Sequence, residues 1–266
     1  MSLRKTLLWT QGRQILDVLV LEQSGSGRMM VLDPEAIGIY HVANGRWQQE
    51  QSLPLAHSTP WPRDLRGRLI QRSDHGVDAY LPGATCQVPT GYTSVGCRDS
   101  NDPWPLSAQF AMAGFFAPSR NFFTGILAPG IGHQTSISKF YSAAPISHQN
   151  SALWLVAATD AILHVLDGSS DQSLSVHWGS DIASVRSSCG SGWQILATQP
   201  GAGSGDAVRA FEMPERSPVP VSMPIEFAGP LTAMWTDASG TSVIAVSKNP
   251  ATGTYEAYRV AVACGQ

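Results

Sequence analysis

The sequence predicts an all-β protein whose short strands close into a β-propeller, and three observations carry that prediction. The first is composition: 25 Gly and 18 Pro in 266 residues, with only 14% charged side chains. Glycine costs about 1 kcal/mol and proline about 3 kcal/mol in a helix interior, so this chain suits many turns rather than long helices. The second is periodicity, since no segment beyond about eight residues keeps a 3.6-residue apolar repeat. The third is recurrence: short β-type runs bounded by turn residues return in units of three or four, the make-up of a propeller blade.

Taken in order, the first unit holds runs at 15–21, 29–32, 37–42 and 47–53, with Asn44-Gly45 supplying the positive φ of a tight hairpin. An irregular stretch, 63–137, reads as one enlarged blade. It has inner strands at 65–70 and 77–81, a loop carrying Cys86 and Cys97, and further loops at 102–106 and 120–125. The next unit has runs at 140–144, 153–157, 162–166 and 174–178, and the one after it has 181–185, 193–197, 207–211 and 219–227. A last unit, 231–235, 242–246 and 255–262, stops one strand short. Leu7-Leu8-Trp9 is expected to supply the missing strand, closing the ring and removing exposed sheet edges. The expectation is a single domain of five blades over 1–266, or six if 110–116 begins a blade of its own.

Charge and cysteine content narrow the setting. A net charge of −3 gives no basic face for nucleic acid. No apolar run approaches the roughly 20 residues that span a bilayer. Met1-Ser2-Leu3-Arg4-Lys5 carries the charge of a signal-peptide start, but Leu7-Leu8-Trp9 is too short for its apolar core. The protein is then either cytosolic or lacks its signal in this chain. Four cysteines with no CxxC pair argue against a zinc ribbon, and they allow three pairings or four buried thiols. The expected set is Cys86–Cys97, closing a short Gly/Pro-rich loop, and Cys189–Cys264, tying the last blade to its neighbour. Two disulfides imply a periplasmic or secreted protein. The seven histidines show no metal-ligand spacing, and no Gly-rich run opens a helix that would cradle a phosphate. Neither a metal nor a cofactor is expected, and a monomer is.

The segments Gly179-Ser180-Asp181-Ile182-Ala183 and Leu16-Asp17-Val18-Leu19 resemble the Asp-Ile/Val inner strands of FG-GAP/VCBS-type propellers. The run from Ala157 to Gly168, through Asp160, His164 and Asp167, is similar to the strand–turn–strand of quinoprotein-like propellers. The resemblance covers most of the chain and implies a propeller. The Asp-x-Asp-Gly-Asp-Gly calcium loop of the first family is absent, as are the repeated Trp docking motifs of the second, so neither calcium nor a quinone is carried over.

Three constellations are candidates for function. Asp17, Asp64 and Asp181 each sit at or before an inner strand, where propeller positions converge on the channel. Propeller glycosidases, which this arrangement resembles, place three carboxylates there, two as acid and base. The competing reading is that each Asp bonds backbone amides of its own turn. The second candidate is Arg63, Asp64, Arg66 and Arg68. Alternation puts Asp64, Arg66 and Arg68 on one strand face, where guanidinium forks would hold an anion or pair with acids of another blade. The third is Trp104 between two prolines, with Arg120 and Asn121, a set suited to stacking on a sugar. The function expected is a non-catalytic extracytoplasmic binding or scaffold propeller recognising protein or carbohydrate. The alternative is a propeller-type glycoside hydrolase using Asp17, Asp64 and Asp181, and a metal or cofactor enzyme comes third.

Overall fold

The computed structural model describes residues 1–265 apart from 24–25, 57–60, 63, 108, 130–131, 135–138, 150 and 169. Among the described residues there is no α-helix, and the strands form five antiparallel sheets. After β1 (Ser2–Gln11), the first sheet is a meander of β2 (Asp17–Gln23), β3 (Ser26–Leu32), β4 (Ala36–Ala43) and β5 (Arg46–Pro54). Its β4–β5 turn is the Asn44-Gly45 pair, both residues at positive φ. A second meander holds β6 (Arg68–Gln71), β7 (Val77–Leu81), β8 (Ala84–Val88) and β9 (Gly96–Asp99).

An eight-stranded sheet follows, made of two runs. The first is β10 (Trp104–Ser107), β11 (Met112–Phe116), β12 (Phe123–Ala128) and β13 (Gly132–Gln134). The second is β14 (Phe140–His148), β15 (Ser151–Ala158), β16 (Ile162–Leu166) and β17 (Asp171–Ser175). One residue pair, Phe123 opposite Phe140, joins them. The stretch expected as one enlarged blade thus holds two runs of strands, divided between Asp99 and Trp104. The sequence hides this because Gly96–Asp99 lacks β-formers, and because Trp104–Ser107 looks like a Pro-rich loop. Pro105 fits as the first strand of its run, where a missing N–H spoils no ladder on the open side.

The remaining sheets are β18 (Ile182–Arg186), β19 (Trp193–Pro200), β20 (Asp206–Glu212), β21 (Val219–Pro220) and β22 (Ile225–Glu226), and then β23 (Leu231–Thr236), β24 (Ser242–Lys248) and β25 (Tyr255–Ala263). The run expected over 219–227 breaks in two, both pieces pairing with β20. Between them the Ser222 hydroxyl accepts the Ala210 N–H, and Pro224 has no N–H to offer. β1 completes the last sheet beside β25, with Ser2 opposite Ala263 and Gln11 opposite Tyr255.

Successive side chains on a strand face opposite ways, and here both faces are buried. In the first sheet Val18, Met29 and Val31 belong to one apolar cluster, while Leu19, Leu21, Met30 and Leu32 belong to another. In β24 the same division puts Ile244 and Val246 in one cluster and Val243 and Ala245 in a second. Sheets packed face to face against neighbours on both sides explain why these strands read as continuous apolar runs. Each fully buried Val, Leu or Ile contributes roughly 1.5–3 kcal/mol. The first strands of the runs also approach one another in succession: β2 with β6, β10 with β14, β14 with β18, and β18 with β23. Both expected disulfides are present. Cys86 and Cys97 are cross-strand partners on β8 and β9, and Cys189, after β18, is bonded to Cys264, after β25.

Candidate functional site

Two cavities lie along these first strands, one at their starts and one farther along. The larger, about 550 Å³, is bordered by Gln14, Asp64, Arg66, Asn121, Tyr141, Ser180, Asp181 and Tyr255. Most precede or begin a strand; Asn121 comes from the β11–β12 turn. The smaller chamber, about 150 Å³, is bordered by Asp17, Arg68, Gln71, Ser107, Gln109, Ser184 and Thr236, among others.

One short segment feeds both. Leu65 and Leu69 sit in the apolar cluster beside the first sheet, and Gly67 lies against Leu16 and Leu32. A Cβ on Gly67 would lie 2.7 Å from Leu32 Cδ2 and 3.0 Å from Leu16 Cβ, so any larger residue would have to displace these core side chains. With that face pressed into the core, Arg66 and Arg68 share the opposite face, Arg66 bordering the larger cavity and Arg68 the smaller. Asp64, ahead of them, is exposed.

The two arginines have different surroundings. Arg66 ion-pairs with Asp181 at 2.6 Å, both side chains 6% exposed, and also donates to the Tyr141 carbonyl at 2.6 Å. The Ser180 hydroxyl donates to the other Asp181 oxygen. The pair therefore joins the segment before β6 to the one before β18, as sheet-to-sheet pairing with an acid requires. Arg68 is 4% exposed and lies 4.4 Å over the Trp235 ring, yet neither its Nε nor its Nη1 has a hydrogen-bond partner. Burial lowers its pKa to about 10, opposed by the charges of Asp17 and Tyr80. Asp17 is also buried; its two oxygens accept the N–H groups of Val18 at 2.8 Å and Leu69 at 2.7 Å. Burial raises its pKa to about 7 against the opposing effects of Arg68 and the two amides.

The aspartates do not share one cavity: Asp64 and Asp181 border the mouth, and Asp17 the inner chamber. Trp104 is 3% exposed and stacks on Phe116 at 4.4 Å, so it offers no face to a solute. It is a core residue because β10 is a strand and not a loop. Arg120 is exposed in the Ala117–Phe122 turn and borders neither cavity. Asn121 does border the mouth, and its buried Oδ1 has no partner. Arg63 lies outside the described residues. Gln14, Tyr141, Ser180 and Tyr255 were not singled out in the sequence. Their common signal, a polar or aromatic residue at or just ahead of a strand start, appears only once strand order is known. Among the described residues, no three His, Cys, Asp or Glu side chains gather into a metal-ligating group.

The successive antiparallel sheets fit a β-propeller, and comparison with solved structures supports that fold. The PQQ-bound aldose sugar dehydrogenase of Streptomyces coelicolor is 13% identical, with a TM-score of 0.54 over 97% of this chain and 98% of that one. A chain of the mitotic checkpoint complex is 8% identical, with a TM-score of 0.56 over 97% and 92%. The Pan2 WD40 domain of Neurospora crassa is 9% identical, with a TM-score of 0.51 over 98% and 97%. At such identities the likeness is one of fold alone. No family model and no curated protein matches the sequence.

Proposed function

We propose that this is a non-catalytic binding propeller of an oxidising, extracytoplasmic compartment, holding a carbohydrate in the mouth cavity. On this reading the ring has six blades, the eight-stranded sheet counting as two, and β1–β25 pairing closes it. The observation that carries the proposal is the make-up of the mouth. A cavity of about 550 Å³ has carboxylate, amide, hydroxyl and tyrosine groups on one rim, and the Asn121 Oδ1 there is buried without a partner. Sugars present hydroxyl donors to such acceptors and apolar ring faces to aromatic side chains. The two disulfides favour the periplasm or a secreted location. A hydrolase using Asp17, Asp64 and Asp181 has less in its favour, because Asp17 faces the other cavity and Asp181 is held by Arg66.

A glycan array followed by titration calorimetry with the best neutral saccharide tests the proposal. Asn121→Ala is expected to weaken binding roughly tenfold, the loss of one buried hydrogen bond or slightly more. Failure of every saccharide to bind, or unchanged affinity in Asn121→Ala, overturns it.

A further inference from the structure

The inner chamber is separate from the mouth, and its chemistry is different. Arg68 is only 4% exposed, and neither its Nε nor its Nη1 has a hydrogen-bond partner. Asp17, whose charge acts on Arg68, has its oxygens on the Val18 and Leu69 amides, and neither Arg68 Nε nor Nη1 is hydrogen-bonded to it. Asp237, also on the chamber wall, is engaged by Ser239, the Gly240 N–H and Ser242. A guanidinium left without acceptors in a dry site is costly, and buried polar groups nearly always have partners. The chamber supplies space for one, with hydroxyls of Ser107 and Ser184 and the amides of Gln71 and Gln109 around it.

The geometry points to the chamber as a binding site for a small, singly charged carboxylate, its head on Arg68 and its short alkyl tail against the apolar wall. Size supports this: about 150 Å³ accommodates a molecule of a few heavy atoms. The apolar wall is Val18, Val20, Leu69 and Ile244. Charge selects the class. Arg68 is the cation among the chamber's lining residues, and Asp17 and Asp237 also border it, so each negative charge on a ligand meets repulsion from those acids, twice over for a dianion such as phosphate. Access is from the rim at Gln109 and Ala238, both exposed, at the opposite end of the strands from Asp64.

Calorimetry and thermal shift on the intact protein, with acetate, propionate and butyrate at constant ionic strength, test this inference. Propionate is expected to bind and raise the melting temperature, while propionamide, its neutral near-isostere, and inorganic phosphate are not. Arg68→Met should lose at least tenfold in propionate affinity, and Asn121→Ala, at the mouth, should lose none, which keeps this site distinct from the proposed saccharide site. If Arg68→Met does not fold, the propionate–propionamide comparison on the unaltered protein still decides. Absence of binding by all three carboxylates, or equal effects of propionate and propionamide, overturns the inference.

Discussion

Replacing Arg66 by Met isolates the worth of the buried pair that links two distant segments of the chain. The substitution keeps most of the side-chain volume, so little of its effect comes from a cavity. It removes a 2.6 Å ion pair with Asp181 and a 2.6 Å hydrogen bond to the Tyr141 carbonyl. What remains is a carboxylate only 6% exposed, with the Ser180 hydroxyl as its remaining side-chain donor. Stranding one partner of a buried pair costs roughly 3–5 kcal/mol. At the ~2–4 °C per kcal/mol expected of large domains, Arg66→Met should melt roughly 6–20 °C below the unaltered protein. Removing both charges, in Arg66→Met with Asp181→Leu, should restore most of the loss, because the pair's attraction largely offsets its own desolvation. Urea unfolding of the two single variants and the double variant closes the cycle. The Arg13–Glu35 pair, with side chains 60% and 73% exposed, is the control, altered at Glu35 because Arg13 also lies 3.5 Å from the buried Asp33; Glu35→Gln should cost under about 1 kcal/mol. If Arg66→Met costs no more than Glu35→Gln, or if the double variant shows the sum of the single losses, the reasoning about this pair fails.

Two further outcomes follow from the structure. Cys189–Cys264 bridges a separation of 75 residues, so replacing both cysteines by Ala should cost about 4 kcal/mol by the chain-entropy argument, against nearer 3 kcal/mol for Cys86–Cys97 with its separation of 11; calorimetry checks the ranking, and a greater loss at Cys86–Cys97 contradicts it. Asp17 has its pKa raised from 3.8 to about 7 by burial, so the folded state holds the Asp17 proton more tightly than the unfolded chain does. The stability this provides is present at pH 4 and is lost as pH rises to about 7, by at most ~4 kcal/mol. The stability of the unaltered protein relative to Asp17→Asn should therefore fall between about pH 4 and pH 7 in urea titrations, and a constant difference sinks the assignment.

Much of this fold was legible in the sequence, because buried strands leave a local signature. The runs at 15–21, 153–157 and 242–246 are apolar on both faces, and each is a strand buried on both faces. Asn44-Gly45 marked its hairpin for a local reason too, the left-handed backbone. The Arg66/Arg68 alternation was readable as well, since a period of two needs only one strand. The region 63–137 was not, because two of its strands lack local propensity. Cys97 is held on an edge strand by its disulfide and its pairing with β8. Trp104 is driven into the core by Phe116 and Phe123, residues from the next two strands. The different fates of Arg66 and Arg68 were equally hidden. They depend on whether an acid from another sheet comes within 4 Å, as Asp181 does for Arg66, and no spacing along the chain encodes that.

The antiparallel pairing of β1 with β25 determines how the molecule would respond to being pulled. Ser2 faces Ala263, so both chain ends leave from the same end of the ladder. Tension applied at the two ends loads the outermost pair first and opens the ladder like a zipper, one pair at a time, instead of shearing all its bonds together. From the C-terminal side the force meets Cys264 before the first pair, and its bond to Cys189 transfers the load into the neighbouring sheet. Under oxidising conditions the C-terminal strand is thus held at its tip, and only β1 is free to peel. Under reducing conditions β25 loses that restraint as well, and the two mechanical behaviours should be separable on one molecule by adding a reductant.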